Sequence, residues 1–204
     1  MPGKARDCRS GARLKIPPDL PEGFQYQADF ISPDEERDLS TAIAAVRFET
    51  FEMRGVVARR RVKFYGAAYA GRAVEPMPEF LAGLRVHAAR WTGIAAEDFE
   101  MALINQYTPG ATIGWHRDAP QYGIVAGISL LSGCRLKLRP YVPPGQGREP
   151  GAAPRKTTTH ELALQPRSGY LLAGLARSGY EHSIPATPAL RYSITFRTLR
   201  RRRP

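Results

Sequence analysis

Eight short strand-like segments fill the stretch from Glu100 to Leu199: EMALINQY, ATIGWHRD, IVAGISLL, CRLKLRP, TTTHELAL, GYLLAGL, YEHSI and RYSITFRTL, parted by Gly, Pro and Asn signals. That many short strands at such spacing predict a β-sandwich or jelly roll. The last segment shows how its layers face. Successive side chains of a strand point to opposite faces, so Arg191, Ser193, Thr195 and Arg197 share one side and Tyr192, Ile194 and Phe196 the other. A strand that turns two guanidiniums toward a cavity must offer them an anion, because an unpaired charge out of water costs several kcal/mol or more.

Helices precede the strands. Ser32, Pro33 and Glu35 make a helix start in which Ser32 caps, Pro33 sits where its missing N–H costs nothing, and Glu35 reaches back. This helix is predicted to run to about Arg47. A second is predicted from about Met77 to Trp91, where Phe80, Leu81, Leu84, Ala88 and Trp91 recur at helical spacing and Gly93 ends the run. Both are expected to pack on a sheet. Between them, FEMRGVVARRRVKFYGAAYAG reads as a hairpin-like surface element, with Arg59, Arg60, Arg61 and Lys63 clustered and Tyr65 and Tyr69 beside glycines. The predicted class is mostly β with flanking helices, in one domain over residues 23–199. Residues 1–22 read as a mobile leader, 140–156 as a flexible Pro- and Gly-rich loop, and 200–204 as a basic tail.

Thirty Lys and Arg against nineteen Asp and Glu leave a net charge of +11 and a pI near 10.1. That balance favours a polyanionic partner, nucleic acid before an acidic membrane surface. No segment has the apolar core of a signal peptide, and no run approaches the ~18 apolar residues of a membrane span. A cytoplasmic monomer is expected. Cys8 and Cys134 fit neither a metal-ligand spacing nor a disulfide framework, and are expected to be free thiols in a reducing compartment.

His116 and Asp118 are separated by one residue at what reads as the end of a strand, which turns both side chains to one side, as two ligands of one ion require. Gly114 leaves room on that face, while Ile113 and Trp115 alternate with it and suit a packed layer. His182, sixty-four residues beyond Asp118 in a later strand, is the best third ligand. Two imidazoles and a carboxylate on one side of a metal leave three positions open, the facial triad of non-haem Fe(II) oxygenases. A His, any residue, Asp spacing also arises by chance, and a strand histidine often has only a structural job. His87, within a helix, and His160, beside Glu161, lack a carboxylate at ligand spacing and are assigned no role. Arg191 lifts the triad above chance. Its guanidinium fork, nine residues beyond His182, matches the remote carboxylate of 2-oxoglutarate bidentately while the keto-acid end of that molecule chelates iron. Asn105 and Tyr107, on one face of NQY, offer an amide and a phenol to the same molecule.

These residues resemble the AlkB family of Fe(II)- and 2-oxoglutarate-dependent dioxygenases, which are nucleic-acid dealkylases. The resemblance is carried by NQYTPGATIGWHRD, GISLLSGCRLKLR, GYEHSI and RYSITFR and covers roughly residues 100–198. It implies a double-stranded β-helix (jelly roll), iron on His116, Asp118 and His182, and cosubstrate on Asn105, Tyr107, Arg191 and Arg197. It also implies that residues from about 50 to 72 form a substrate-recognition lid. Two positions depart from the family. Ser193 stands where members often carry Asn, and still offers a hydrogen bond to cosubstrate; Pro120 stands where repair enzymes often carry an acidic residue that reads the alkylated base.

The activity implied is oxidation of an N-alkyl group on a base of DNA or RNA, with O2 consumed and formaldehyde, succinate and CO2 released. A methylated pairing edge is cheaper to flip from a duplex than a normal base, which supplies selectivity. Arg135, Lys137 and Arg139 alternate with Leu136 and Leu138, giving a cationic ridge that could track phosphates together with Arg61 and its neighbours, Arg148, Arg155, Lys156 and the tail arginines. Tyr65 is a candidate base-stacking residue, with core packing as the alternative. Two other readings stay open: the same centre acting on a protein side chain or small molecule, which Pro120 motivates, and a non-catalytic nucleic-acid binder.

Overall fold

The computed structural model describes residues 19–53, 56–67, 74–143 and 158–200. The leader through residue 18 with Cys8, the part of the 50–72 segment holding Tyr69, the loop arginines Arg148 and Arg155 with Lys156, and Arg201 to Arg203 lie outside them. In chain order the elements are β1 (Phe24–Gln27), α1 (Pro33–Ala44), β2 (Glu49–Met53), β3 (Val56–Gly66), α2 (Ala82–Thr92), β4 (Met101–Tyr107), β5 (Ile113–His116), β6 (Tyr122–Leu130), β7 (Cys134–Pro140), β8 (His160–Leu164), β9 (Gly169–Leu172), α3 (Gly174–Ser178), β10 (Tyr180–Ile184) and β11 (Arg191–Leu199). They form a seven-stranded sheet in the order β1-β9-β6-β11-β4-β3-β2 and a four-stranded sheet in the order β5-β10-β7-β8. Strand pairing within both sheets is antiparallel.

Alternation along the strands builds two cores. Tyr192, Ile194 and Phe196 of β11, with Ala102 and Ile104 of β4, face α1 and α2 and join Leu39, Ile43, Leu84 and Ala88. From the other face of the same sheet, Tyr107, Val125 and Leu172 meet Leu136, Leu138, Leu162, Leu164 and Ile184 of the smaller sheet. The result is mostly β, a jelly roll with helices on the outside of its larger sheet. Gly127 shows how tightly the inter-sheet layer is filled: a Cβ there would lie 2.2 Å from Cζ of Tyr170. Only glycine lets that ring lie across β6.

The capping box forms as read, with Ser32 Oγ accepting from Glu35 N and Glu35 Oε2 from Ser32 N. The helix ends earlier than Arg47, at Ala44, because Val46 and Phe48 turn back into the helix-side core ahead of β2. At α2, Pro78 holds the chain extended and a 3-10 turn at Glu79–Leu81 comes first, so the α-helix begins only at Ala82; Gly93, at φ 70°, ends it. The hairpin β2–β3 is not merely superficial: β3 pairs along β4 and buries Arg60, Val62 and Tyr65. Strand β1, at the sheet edge, and the short helix α3, which follows β9, go beyond the strand pattern of the sequence. Among the described residues no helix is long and apolar enough to cross a membrane.

Candidate active site

β11 lies between β6 and β4 near the middle of the larger sheet, so its polar face is enclosed on both sides. Arg191 is 0% exposed. Its Nε donates to Ser129 Oγ at 3.0 Å and its guanidinium lies 4.9 Å from the centroid of the Tyr107 ring, but Nη1 and Nη2 are buried with no hydrogen-bond partner. A native fold rarely leaves two charged donors in that condition unless a ligand completes them. Two parallel donors on one guanidinium fit a carboxylate. The chemistry around Arg191 thus matches the remote end of a dicarboxylate. Tyr107 beside it is 1% exposed, and burial pushes its phenol up, keeping it a neutral donor. Ser193 and Asn105 are buried and face each other in register across β11 and β4.

Arg197, six residues along the same face, is occupied. Its Nε and Nη2 donate to Asp118 Oδ1 at 3.3 and 2.9 Å, and its Nη1 to Thr195 Oγ1 at 2.7 Å. Arg197, expected on the cosubstrate, here grips the Asp118 carboxylate.

His116 of β5 and His182 of β10 are register partners, with ring centroids 4.3 Å apart. The pairing carries an irregularity. Ile113 opposes Ile184 while His116 opposes His182, so three steps on β5 match two on β10, a bulge that brings both Ile113 and His116 to the inner face. Strict alternation would have put them on opposite faces. Trp115 instead lies outside, 4.1 Å beneath the Arg139 guanidinium. Gly114 O lies 2.9 Å from His116 Nδ1, which fixes the ring with Nδ1–H donating and leaves Nε2 for a ligand. Burial lowers His116, and burial with His116 alongside pushes His182 down to about 3, so both are neutral at pH 7. Asp118 does not continue the strand, which ends at His116. Burial alone would raise its carboxyl, but Arg197 foremost, with His182, His116 and Arg177, holds it well below the usual carboxylate range.

Two neutral imidazoles and one ionised carboxylate are the donor set that Fe(II) takes in a facial triad. Among the described residues no three His, Cys, Asp or Glu side chains are grouped as a metal site; Asp118 Oδ1 accepts from Arg197, and the two imidazoles lie 4.3 Å apart, tilted by 55°. The donor types of His116, His182 and Asp118 fit iron.

The substrate candidates do not gather here. Tyr65 is 5% exposed and packs in the helix-side core, on the opposite face of the larger sheet from Asn105 and Arg191, so it cannot stack on a base at this site. Arg61 shares its side of β3 and donates to Phe48 O at 3.0 Å. The ridge on β7 has the expected alternation, Leu136 and Leu138 inside, but each cation meets a carboxylate: Arg135 and Lys137 pair with Glu161 at 3.1 and 3.2 Å, and Arg139 with Glu181.

Two arginines escape a sequence reading. Arg177 of α3 donates from Nη2 to the carbonyls of Ala119 and Tyr122 at 2.8 and 2.9 Å, and to Asp118 O at 3.4 Å, bracing the turn that carries Asp118. Nothing in GLARS announces this. Arg60 is buried and donates to Asn105 Oδ1. Its signal lies in the parity of ARRRVKF, where Ala58, Arg60, Val62 and Phe64 form the face opposite Arg59, Arg61 and Lys63.

The sequence model of the 2OG-Fe(II) oxygenase superfamily matches residues 26–197. Among solved structures, the chain is similar to OsALKBH1, with TM-score 0.61 and 12% identity over 88% of this chain and 99% of that one. It is likewise similar to a Pseudomonas putida prolyl-4-hydroxylase, with TM-score 0.59 and 15% identity over 88% of this chain and 94% of that one. The chain belongs to the 2OG-Fe(II) oxygenase superfamily and is a dioxygenase that uses Fe(II), 2-oxoglutarate and O2.

Proposed function

We propose that this dioxygenase is AlkB-like and oxidatively dealkylates N-alkylated bases of DNA or RNA, with iron on His116, Asp118 and His182 and 2-oxoglutarate on Arg191, Tyr107, Asn105 and Ser193. The observation that carries the active centre is the wholly buried Arg191 with two unpartnered donors. The nucleic-acid substrate rests on the net charge of +11 together with the spacing of NQY, HRD and RYSITFR.

When bound, iron, 2-oxoglutarate and O2 supply the oxidation of an alkyl C–H bond, and the cosubstrate leaves as succinate and CO2. The chain's own residues do the placing. Arg191 forks onto the remote carboxylate in a wall closed to water, where its charge acts at low dielectric. Tyr107 donates as a neutral phenol. Arg197 keeps Asp118 ionised, and Gly114 O fixes the His116 tautomer, so all three donors are ready without losing a proton first. The oxidised N-alkyl carbon then departs as formaldehyde, leaving the base with its N–H restored.

A second reading, hydroxylation or demethylation of a protein side chain, is favoured by Pro120 at the base-reading position and by the ridge on β7, whose three cations are largely offset by Glu161 and Glu181. Methylated DNA and RNA oligonucleotides and a peptide panel, incubated with enzyme, Fe(II), ascorbate and 2-oxoglutarate and followed by mass spectrometry, separate the two. Demethylated bases with formaldehyde are expected; modified peptides alone would transfer the assignment to protein. Turnover surviving His116→Ala would overturn the metal assignment itself.

A further inference from the structure

β3 sends one cation inward. Arg61 and Lys63 lie on one side of the strand, while Arg60, only 7% exposed, shares the buried side with Val62. Burying a guanidinium is costly unless its bonds serve a purpose. Its Nε donates to Asn105 Oδ1 at 2.9 Å, joining residues 45 positions apart, and its guanidinium lies 4.8 Å from the Phe51 ring centroid. In register it is Val62 that stands opposite Asn105, so Arg60 reaches the amide along the diagonal.

A carboxamide has two ends of opposite character, an oxygen that accepts and a nitrogen that donates, whereas a guanidinium only donates. Contact with Arg60 therefore assigns the Asn105 oxygen to the β3 side and turns its NH2 away. On the other flank of β4 lies β11, with Ser193 in register with Asn105 and Arg191 with Tyr107. An amide free to flip would spend part of its time presenting an acceptor to an incoming carboxylate, which repels it. We propose that Arg60 is a positioning residue that locks the Asn105 amide with its NH2 toward the cosubstrate, and so sets the affinity for 2-oxoglutarate without touching it. This rests on the assignment of Asn105 to the cosubstrate, and adds what fixes that amide. Because Arg60 belongs to the β2–β3 hairpin, the same bond ties the hairpin to the cosubstrate pocket.

The test is a binding cycle without turnover. 2-Oxoglutarate is titrated calorimetrically into Mn(II)-loaded protein for wild type, Arg60→Met, Arg60→Lys, Asn105→Ala and the double variant Arg60→Met/Asn105→Ala. Arg60→Met is expected to weaken binding roughly tenfold, the effect of one charge-assisted hydrogen bond. Arg60→Lys restores most of it, because an ammonium donates to the same oxygen. Asn105→Ala weakens binding comparably, and the double variant binds no worse than Asn105→Ala, since the two residues act as one unit. Losses that multiply in the double variant, or unchanged affinity in Arg60→Met, overturn the role of Arg60 while leaving Asn105 in place. Unchanged affinity in Asn105→Ala overturns the cosubstrate assignment, and Arg60 falls with it. Should Arg60→Met fail to fold, Asn105→Asp asks the same question. It keeps a partner for Arg60 but removes the NH2, so it must bind at least as weakly as Asn105→Ala, and retained affinity overturns the proposal.

Discussion

The two ends of β11 carry the same residue on the same face in opposite conditions. Arg197 has an ion pair to Asp118 and a hydroxyl at Thr195, whereas Arg191 has one hydroxyl and two empty nitrogens. Residue type and burial alike fail to distinguish them; the count of filled donors does. The filled donors of Arg197 hold Asp118, while the two unfilled donors of Arg191 are what the proposed cosubstrate would complete.

Substitution at each end sharpens the contrast. Arg197→Met leaves Asp118 buried and unpaired, and should destabilise the metal-free protein by about 3 to 5 kcal/mol in denaturant unfolding. Arg191→Met should cost 2-oxoglutarate affinity on the order of 100-fold, two charge-assisted bonds, while the melting temperature stays level or rises because an uncompensated cation has gone. If Arg191→Met melted as low as Arg197→Met, the contrast would collapse.

Acid titration probes the Arg197 end alone. With folded-state values lowered by burial, His116 and His182 stay neutral where the unfolded chain takes up protons, below about pH 6.5. The unfolded state then binds more protons, so stability of the metal-free protein falls as pH drops below about 6.5, by at most about 1.4 kcal/mol per pH unit for each imidazole that stays neutral, and for His182 the fall continues toward about 3. Asp118 acts with the same sign lower down, its stabilisation being lost as the carboxylate is protonated. Arg191→Met should keep this profile in pH-dependent thermal melts, and Arg197→Met should move its acid limb to higher pH. A flat profile between pH 6.5 and 5 would contradict the neutral, half-buried imidazoles. The smallest effect is expected away from β11. Arg135→Gln, already matched by Glu161, should change oligonucleotide affinity by less than about 0.5 kcal/mol in anisotropy titrations, and a tenfold loss would restore the ridge on β7 as a phosphate track.

Much of this was legible because it depends on local rules. The two faces of RYSITFR follow from strand parity, the start of α1 from its capping box, and the end of α2 from Gly93. What the sequence hid depends on events elsewhere in the chain. Parity fails across the bulge in β5, so Trp115 lies outside and Asp118 sits beyond the strand end. Tyr65 looked available because nothing local says that helices cover its side of the sheet. Arg60 was submerged in a run of three arginines, and only the pairing of β3 with β4 separates the buried one from its exposed neighbours.

On the proposed ligand set, the pairing of β5 with β10 also dictates when the protein can acquire its metal. His116 and His182 are neighbours only because two strands sixty-six residues apart zip together, and closing so long a span is a late, entropically costly event. A chain still emerging from the ribosome, or truncated before β10, holds one imidazole and one carboxylate but no paired imidazoles. With iron on His116, Asp118 and His182 as proposed, its capture is reserved for chains that have completed their topology, which keeps an oxygen-activating metal off unfinished ones.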